Sequence, residues 1–370
     1  MKKFLLMVLV LVPLFGCKPK GVVDIPPAPK ATFIVTFASG GVSVNGDMEE
    51  QIFTEGEMQP LALCGFTLDG YKFIGWSLSE GGAKAYDDGQ EVLIDNDVTL
   101  YALWELYPFV KISKGTYNLN KDGSLKVTLT SDFEIAIHEV TQNEFASLMK
   151  YNPSHFSSDP WGVEIQGSRP VEYLTWYEAI AYCNKLSEAK GIKGASSNIV
   201  DFVYFSDADC SAVYNSEDAA SKKEVHIKLD SEGKIDAVGY RLPTEAEWEA
   251  AARGGREGDV FASPDEDLGS YGWWGGNGKS KTHQVMLLKP NGYGLYDMSG
   301  NVWEWCYDWW AAYESPAADP KGPSDGTNKV ARGGSYGNSS NSFLRVSYRN
   351  QYKPESTVSS LGFRVCRSVK

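Results

Sequence analysis

Two patterns of apolar and polar positions follow one another along the chain. Between residues 31 and 105 the two kinds of residue alternate, as in TFIVTF at Thr32–Phe37 and VTLYALW at Val98–Trp104. A period of two places every second side chain on one face of an extended segment, which indicates β-strands against a core. Residues 31–105 are therefore predicted to form a small β-domain.

From Phe109 onward the pattern changes to short helices separated by loops. In a capping box, a Thr side chain accepts from the third amide of a helix and a Glu reaches back to the Thr. This spacing occurs at Thr141 with Glu144, Thr175 with Glu178, and Thr244 with Glu247. The second segment also has an apolar helical face, made by Trp176, Ile180, Cys183 and Leu186. It is predicted to be an amphipathic helix packed on a core.

Carboxylates are concentrated at the third of these helix starts, in PTEAEWE at residues 243–249. The capping box accounts for one of them. We predict that they are cap and surface charges rather than an acid/base pair, and that the helix ends at Gly254-Gly255.

Residues 192–239 fit the helical pattern less well and are rich in Ser, Asp and Ala. They are predicted to be an insertion with a hairpin in VHIKLDSEGKIDAV, residues 225–238. Asp207 and Asp209 are spaced as in a calcium loop, but the glycine turn of an EF-hand is missing.

The first 17 residues, MKKFLLMVLVLVPLFGC, combine two lysines with an apolar run from Phe4 to Phe15. The run is too short to cross a bilayer and has the form of a secretory signal. Its end, LFGC, resembles the lipobox of bacterial lipoproteins, which predicts that Cys17 is lipidated; the alternative is a plain signal with an incidental Cys. Residues 18–30 are Pro-rich and are predicted to be a linker. We expect a bacterial envelope protein anchored to the membrane through its lipid, in the periplasm or at the cell surface.

Composition excludes several classes of function. The formal net charge is −13 and the pI is about 4.9, which argues against nucleic acid as a partner. Five cysteines remain after Cys17, an odd number, and none forms a CxxC pair. The four histidines show no zinc spacing. A redox or zinc enzyme therefore has little support.

The motifs of residues 31–105 resemble the Listeria/Bacteroides, or internalin B-type, repeat. They are the opening TFIVTF, the central GYKFIGW at Gly70–Trp76, and the closing TLYALW. The resemblance implies a small β-grasp-like module of bacterial surfaces, with a spacer or adhesion role.

Residues 109–370 resemble the formylglycine-generating enzyme, or sulfatase-modifying factor, family. The motifs are HEVT (138–141), NPS (152–154), RPVEYLTW (169–176), YRLPTEAEWE (240–249), GLYDMSGNVWEW (294–305), RGGS (332–335) and LGFRV (361–365). The resemblance implies an α+β chain with a C-type-lectin-like fold, low in regular secondary structure. It also implies that the tryptophans of GNVWEWCYDWW lie in the core.

The aerobic enzymes of that family bind copper(I) through two cysteines, and soft thiolates are what copper(I) requires. The matching positions in this chain are Asn338 and, at or near, Phe343, neither of which has a thiol. Copper is therefore not expected and no catalytic residue is assigned, although Trp303 and Ser335 match positions that line the family pocket.

The resemblance also implies a structural calcium ion held by Asp297, the carbonyls of Gly300 and Val302, and Glu304. Hard oxygen ligands within eight residues suit calcium. The alternative is that Glu304 only caps a turn or pairs with an Arg. A family disulfide would involve Cys183, but its partner position is Val365 here and Cys366 comes one residue later, which in a strand would face the other way.

The stretch RGGSYGNSSNSFLRVSYRN, Arg332–Asn350, contains no acidic residue, His, Cys or Lys. Its ends are predicted to be strands around a Gly/Ser/Asn middle. Aromatic and small polar residues without charge suit a recognition surface. The candidate ligand-binding residues are Tyr336, Asn338, Ser340, Asn341, Phe343, Tyr348 and Asn350; the alternative is a solvated loop.

These observations favour a non-catalytic envelope lipoprotein that binds a protein, peptide or glycan. One alternative is a sulfatase-modifying oxidase with relocated cysteines, for which Cys306 and Cys366 would have to serve. Another is a structural scaffold of an envelope assembly.

Overall fold

A computed structural model describes residues 29–369, except 42–43, 45, 67–70, 107, 159–163, 194–198, 266 and 313–316. The signal segment and Cys17 lie outside the described residues. The chain divides into two compact units, the first ending at Trp104 and the second beginning at Glu105. Across the described part, none of the helices has the length and apolar character needed to span a bilayer.

The first unit is built from short strands. They are β1 (Thr32–Ala38), β2 (Gln51–Thr54), β3 (Met58–Pro60), β4 (Tyr71–Ser77), β5 (Lys84–Tyr86), β6 (Glu91–Leu93) and β7 (Val98–Leu106). The main sheet has the order β2-β1-β7-β4-β5, with β1 parallel to β7 and antiparallel to β2. The two segments predicted from alternation are thus β1 and β7, and the central GYKFIGW motif overlaps β4.

Aromatic residues fill the core of the first unit. Trp76 is fully buried, and its ring centroid lies 4.8 Å from those of Phe37 and Phe73. Gly75, just before it, has φ +137°, and a Cβ there would meet the Tyr86 carbonyl oxygen at 2.6 Å. Glycine is needed at that place because the neighbouring backbone comes so close.

The helices of the second unit are short. They are α1 (Gln142–Met149), α2 (Trp176–Ala189), α3 (Ser216–Ser221), α4 (Glu245–Ala252) and α5 (Leu268–Tyr271). The predicted capping boxes form at the starts of α1, α2 and α4. After α4, Gly254 and Gly255 adopt φ of +57° and +85°, as predicted for a helix end.

The strands of the second unit form small sheets. They are β8 (Phe109–Ile112), β9 (Gly115–Leu119), β10 (Leu125–Leu129), β11 (Phe133–Ala136), β12 (Tyr204–Phe205), β13 (His226–Ile227), β14 (Tyr240–Arg241), β15 (Trp303–Trp309), β16 (Ala317–Ala318), β17 (Lys329–Arg332), β18 (Arg349–Tyr352), β19 (Leu361–Gly362) and β20 (Cys366–Ser368). The larger sheets have the orders β14-β20-β11-β8 and β18-β17-β15-β19. The low helical content confirms the predicted α+β class.

Two apolar clusters lie on either side of these sheets. The first surrounds α2 and includes Trp303, Trp305 and Phe363. The second surrounds α4 and includes Trp248 and Cys306. Trp303 and Trp305 are 2% and 0% exposed, so they are core residues as the sequence predicted, whereas Trp309 and Trp310 are only half-buried.

Residues 192–239 contribute to the first cluster rather than lying wholly on the surface. Tyr204 and Tyr214 are buried, and the Asn184 side-chain amide of α2 donates to both of their carbonyl oxygens, at 2.8 and 2.9 Å. The hairpin forms around Asp230, whose N–H donates to the Lys234 carbonyl at 2.9 Å.

The prediction that the PTEAEWE carboxylates are surface charges was wrong. Glu247 does cap α4, but Glu245, Glu247 and Glu249 are all buried. Each pairs with arginine: Glu245 with Arg349, Glu247 with Arg241 and Glu249 with Arg253. Arg241 and Arg253 stand near their glutamates in the sequence, but Arg349 is 104 residues from Glu245 and cannot be recognised from a local pattern. Spacing alone therefore did not show that this helix start is enclosed in the core.

Candidate functional site

The uncharged stretch from Arg332 to Asn350 forms a loop on a two-stranded base. β17 and β18 pair antiparallel, with Arg332 opposite Arg349. The strands end at Arg332 and begin again at Arg349, so residues 333–348 are loop rather than the strand ends that the sequence predicted. A short 3-10 turn, Asn341–Leu344, lies within it.

Two glycines allow the chain to leave β17. Gly333 and Gly334 have φ of +97° and +79°. A Cβ on Gly334 would lie 2.9 Å from the Phe343 carbonyl oxygen, so the two ends of the loop pass very close together. The loop therefore has a defined base.

Tyr336 does not project from this base. It is only 7% exposed, its ring packs edge-on against Phe156 at 5.4 Å, and its hydroxyl lies 3.2 Å from Ser359 Oγ. The expectation that Tyr336 protrudes to hold a ligand was wrong, because Phe156 and Ser359, distant in sequence, enclose it.

Asn338 is half-buried and supports the turn. Its Oδ1 accepts from the Ser335 N–H at 2.7 Å and from Ser335 Oγ at 3.1 Å. Ser340 and Asn341, by contrast, are exposed. The middle of the loop thus combines one fixed amide with a freely accessible polar tip.

Phe343, Tyr348 and Asn350 are half-buried beside that tip. The rings of Phe343 and Tyr348 meet edge-to-face at 4.9 Å, and Tyr348 lies 6.0 Å from the buried Trp303. Asn350 donates to the Tyr352 hydroxyl at 3.0 Å. An aromatic pair anchored on the core and partly open to solvent can contact a partner at small entropic cost.

Three of the cysteines of the second unit lie in its apolar clusters. Cys183, Cys306 and Cys366 are free and fully buried. Burial raises the pKa of the Cys306 and Cys366 thiols well above the usual value. The resemblance assigns the family's copper ligands to Asn338 and to a position at or near Phe343, where the loop has an amide and an aromatic ring; a copper(I) site needs thiolates.

Cys183 and Cys366, between which the sequence left a disulfide possible, are free thiols in the structure. Cys183 and Val365 belong to the first apolar cluster, whereas Cys366 belongs to the second. Its Sγ lies 2.9 Å from an Arg241 nitrogen. The one-residue displacement that separates Val365 from Cys366 turns the thiol to the other side of the sheet.

The predicted calcium ligands lie in a tight turn before β15. Asp297 and Gly300 have φ of +59° and +119°. Asp297 is 2% exposed; its Oδ2 accepts from the Met286 N–H at 2.9 Å, while its buried Oδ1 has no hydrogen-bond partner among the described residues. Burial raises the pKa of Asp297 to about 6. An orphaned buried carboxylate oxygen is what a hard cation would satisfy.

Glu304 is already engaged by an arginine, as the alternative interpretation expected. Arg364 donates to Glu304 Oε2 and Oε1, both at 2.7 Å, and Trp248 Nε1 also donates to Oε2 at 2.7 Å. A carboxylate oxygen has two acceptor sites, so Oε1 keeps one. In the ranges that the structure describes, His, Cys, Asp and Glu do not gather in groups of three or more able to hold a metal. The residues therefore fit calcium only with main-chain carbonyls completing the set.

Sequence reasoning missed Glu139, which joins this turn from the loop before α1. Glu139 is fully buried and accepts from the Val302 N–H at 3.2 Å and from the Asn301 amide at 3.0 Å. Burial first, then the charges of Asp297 and Glu304, raise the pKa of Glu139. The signal in the sequence that could have indicated Glu139 is its position in the HEVT motif, residues 138–141.

Comparisons with known proteins define the class to which the chain belongs. Residues 105–369 match the family described as sulfatase-modifying factor enzyme 1-like domains, and residues 33–103 match the Listeria-Bacteroides repeat domain. The chain is therefore a member of the sulfatase-modifying factor enzyme 1-like family, with a Listeria-Bacteroides repeat before that domain.

Two curated relatives are similar to different extents. The chaperone protein LppX of Paenibacillus barcinonensis is 34% identical over 277 residues, which are 70% of this chain and 86% of that protein. The formylglycine-generating enzyme of Streptomyces coelicolor is 44% identical over 159 residues, 38% of this chain and 51% of the enzyme. The alignment thus spans about half the length of that enzyme.

Solved structures agree on the fold of the second unit. Treponema denticola variable protein 1 has a TM-score of 0.60 and 34% identity, covering 70% of this chain and 95% of its own. CarF has a TM-score of 0.52 and 25% identity, covering 71% and 98% respectively. These neighbours are consistent with the formylglycine-generating-enzyme-like fold that the motifs implied.

Proposed function

We propose that this protein is a bacterial envelope binding protein whose sulfatase-modifying-factor-like domain does not make formylglycine. The observation that carries the proposal is the identity of Asn338 and Phe343 at the positions of the family's copper-binding cysteines. Neither side chain can supply a thiolate, which copper(I) requires.

Relocated cysteines give the enzyme alternative little support. Cys306 and Cys366 are buried in the apolar core with raised thiol pKa values, so both favour the protonated form, which is a poor copper ligand.

A direct assay separates the binding protein from the formylglycine-generating oxidase. We expect no copper(I) uptake and no conversion of a CysXProXArg peptide to formylglycine, with the Streptomyces coelicolor enzyme as the positive control. Measurable turnover would overturn the proposal.

The partner that we favour is a polypeptide bound at the 337–348 loop. Two features support this: the exposed Ser340 and Asn341, and the Phe343–Tyr348 aromatic pair beside them. The chain is also similar to a protein named as a chaperone, and to one named as variable. We propose that the loop tip can differ in sequence while its base is kept.

Capture from an envelope extract tests this surface. Tyr348→Ala should reduce capture of the bound polypeptide strongly, because aromatic anchors dominate interfaces. Tyr151→Ala is the control, since Tyr151 is a 41% exposed tyrosine of the second unit that lies outside the loop. Equal loss with both variants, or capture abolished by glycosidase treatment of the extract, would reject a polypeptide partner at this surface. Retention of partners by both variants would favour a scaffold role.

Membrane attachment through Cys17 is a further part of the proposal, and its support is the apolar run that ends in LFGC. Cys17→Ala should release soluble or unprocessed protein on fractionation. Membrane retention equal to that of the wild type would exclude the lipid anchor.

We also propose that calcium stabilises the second unit through Asp297, the Gly300 and Val302 carbonyls, and Glu304. Binding to the native state alone raises stability by mass action. A chelator should lower the melting temperature of the wild type but not of Asp297→Ala. A melting temperature that is insensitive to chelator in both proteins would remove calcium from the proposal.

A further inference from the structure

A pocket of about 310 Å³ lies in the second unit, lined by residues of α1, α2 and the β14-β20-β11-β8 sheet and its ends. Ala136 of β11 stands opposite Phe109 of β8, and the Ala136 N–H donates to the Val365 carbonyl at 2.8 Å. These three residues line the pocket from the sheet, while Leu148 and Tyr182 line it from the two helices. The 333–348 loop contributes nothing to the lining, so this pocket is separate from the proposed polypeptide surface.

Short side chains explain why space is left between these elements. Ala136 lines the pocket from the sheet, Ser147 from α1 and Ala189 from α2. Ligand pockets start at about 300 Å³ and are mainly apolar with a few placed polar groups. An apolar cavity of about 150 Å³ already holds benzene, so a volume of about twice that size admits two fused rings.

The charges of the lining balance each other. Glu144 and Lys190 are the acidic and basic side chains among the lining residues, and both are exposed. Glu144 Oε2 is also engaged in the cap of α1, where it accepts from the Thr141 N–H at 2.7 Å and from its hydroxyl at 2.9 Å. A charged ligand would lose hydration among apolar walls without an opposite charge inside to compensate. The lining therefore favours an uncharged ligand.

His138 is a polar ring of the lining that can orient such a ligand. Its Nδ1 lies 2.7 Å from the Glu139 carbonyl oxygen. Because a carbonyl oxygen only accepts, Nδ1 carries the proton, and Nε2 of the neutral ring is an acceptor. The half-buried His138 thus adds an acceptor for an N–H or O–H to an otherwise mainly apolar lining.

We propose that this pocket binds an uncharged aromatic molecule of about two fused rings with one N–H or O–H group, which donates to His138 Nε2. Aromatic rings prefer tilted, offset or edge-on contacts with other rings. Phe109 and Tyr240, whose ring centroids are 5.3 Å apart at 32°, and Tyr182 provide such rings in the lining. A hard metal ion is disfavoured because the aromatic and aliphatic side chains offer no set of oxygen ligands.

The test uses indole as the probe, titrated into the full chain and followed by calorimetry or ligand-observed NMR. N-methylindole, which lacks the N–H, is the control for the donor, and indole-3-acetate and tryptamine are the controls for charge. Indole should bind saturably and more tightly than all three. Absence of saturable indole binding, or tighter binding of either charged compound, would overturn the proposal.

His138→Phe keeps a ring at this position but removes the acceptor. It should weaken indole by about fivefold, because a neutral hydrogen bond is worth about that ratio. N-methylindole should change by less than about twofold, since it makes no such bond. Equal weakening of both compounds would reject His138 as the acceptor and with it the proposal.

A second variant keeps the test decisive if His138→Phe does not fold. Ala189 is exposed and lines the pocket, so Ala189→Trp should fill it and abolish indole binding. Glu188→Trp is the matched control, because Glu188 is the preceding exposed residue of α2 and lies outside the lining, and it should keep indole binding. Undiminished binding by Ala189→Trp would place indole elsewhere and reject the site.

N-acetyl-tryptophanamide separates the two sources of such a ligand, and both of its outcomes support the pocket. Binding equal to that of indole indicates a Trp side chain of a polypeptide, whereas binding of indole alone indicates a free small molecule. Tyr348→Ala should bind indole normally, so the outcome is independent of the loop surface.

Discussion

The two units bury different kinds of side chain. Among the described residues of the first unit, the only buried polar residue is Ser77, and the ion pairs Lys30–Glu57 and Lys84–Asp87 are exposed. In the second unit, Arg169, Arg332 and Arg364 are among the largest fully buried side chains. One core is apolar and the other contains charge.

The arrangement of the backbone explains the difference. Strands of the first unit satisfy their peptide groups in a five-stranded and a two-stranded sheet, so an apolar face suffices to hold them. The second unit has long loops whose carbonyls need donors. Arg364 donates to the Ala136 and Tyr296 carbonyls, both at 3.0 Å, as well as to Glu304. Arg364 thus joins the end of β11 to the loop that contains Tyr296.

The largest effect is expected in the apolar core. Trp76→Ala should lower the free energy of unfolding of the first unit by about 3 to 5 kcal/mol, because it removes a fully buried indole and leaves a cavity. Hydrogen exchange of β1 and β7 amides measures this. Ile52→Ala, at a 63% exposed position of the same sheet, is the control and should cost far less. A loss below about 1 kcal/mol for Trp76→Ala would mean that the apolar core is not what holds this unit.

A buried arginine should matter nearly as much in the second unit. Arg332→Ala breaks contacts to Glu249, Glu245 and the Tyr348 carbonyl. We expect urea unfolding to show a decrease of about 3 kcal/mol in the free energy of unfolding, which is the low end for a broken buried ion pair. The decrease is limited because Arg253 and Arg349 still contact the two glutamates. Lys111→Ala, in a partly exposed pair with Asp132, should cost about 1 kcal/mol or less. If both substitutions lowered the free energy of unfolding equally, buried charge would not be what holds the second unit together.

The pH dependence of stability should differ between the units as well. Burial raises the pKa of Glu172 to about 7, and its carboxylate accepts the Phe156 N–H at 2.8 Å. A raised acid pKa means that the folded state binds the proton more tightly, so this stabilisation is complete below about pH 4.5 and is lost as the pH rises through about 7. Glu172→Gln should flatten part of the decrease in urea midpoint between about pH 5 and about pH 8 in the second unit. An unchanged slope would assign the pH dependence to other buried acids.

The smallest effects are expected in the loop. Ser340→Ala and Asn341→Ala should change stability by no more than about 0.5 kcal/mol, since both side chains are exposed. Asn338→Ala should cost about 1 kcal/mol because its amide oxygen accepts two bonds from Ser335. Thermal unfolding distinguishes these values, and a cost for Asn341→Ala as large as that for Asn338→Ala would show that the tip is part of the frame.

Local patterns predicted the elements that local chemistry forms. The strands β1 and β7 follow from alternation, and the starts of α1, α2 and α4 follow from capping boxes. In both cases the groups that interact stand within a few residues of each other, so the local sequence is enough to predict the element.

Distant contacts decided the features that were predicted wrongly. Tyr336 is in a stretch typical of a surface loop, yet Phe156, 180 residues earlier, covers its ring. Glu249 is in a motif typical of the exposed surface of a helix. Arg332, 83 residues later, pairs with its carboxylate in the core. The local sequence around Phe156 or Arg332 does not identify Tyr336 or Glu249 as its contact.

The sequence by itself determined the two-part organisation, the helix caps, the buried tryptophans and the absence of thiols at Asn338 and Phe343. Only the tertiary structure decided which charges are buried, which side of β20 Cys366 faces, and that Asp297 keeps a buried oxygen without a partner among the described residues. The physical reason is that capping and alternation depend on spacing along the chain, whereas burial and ion pairing depend on which distant segments meet.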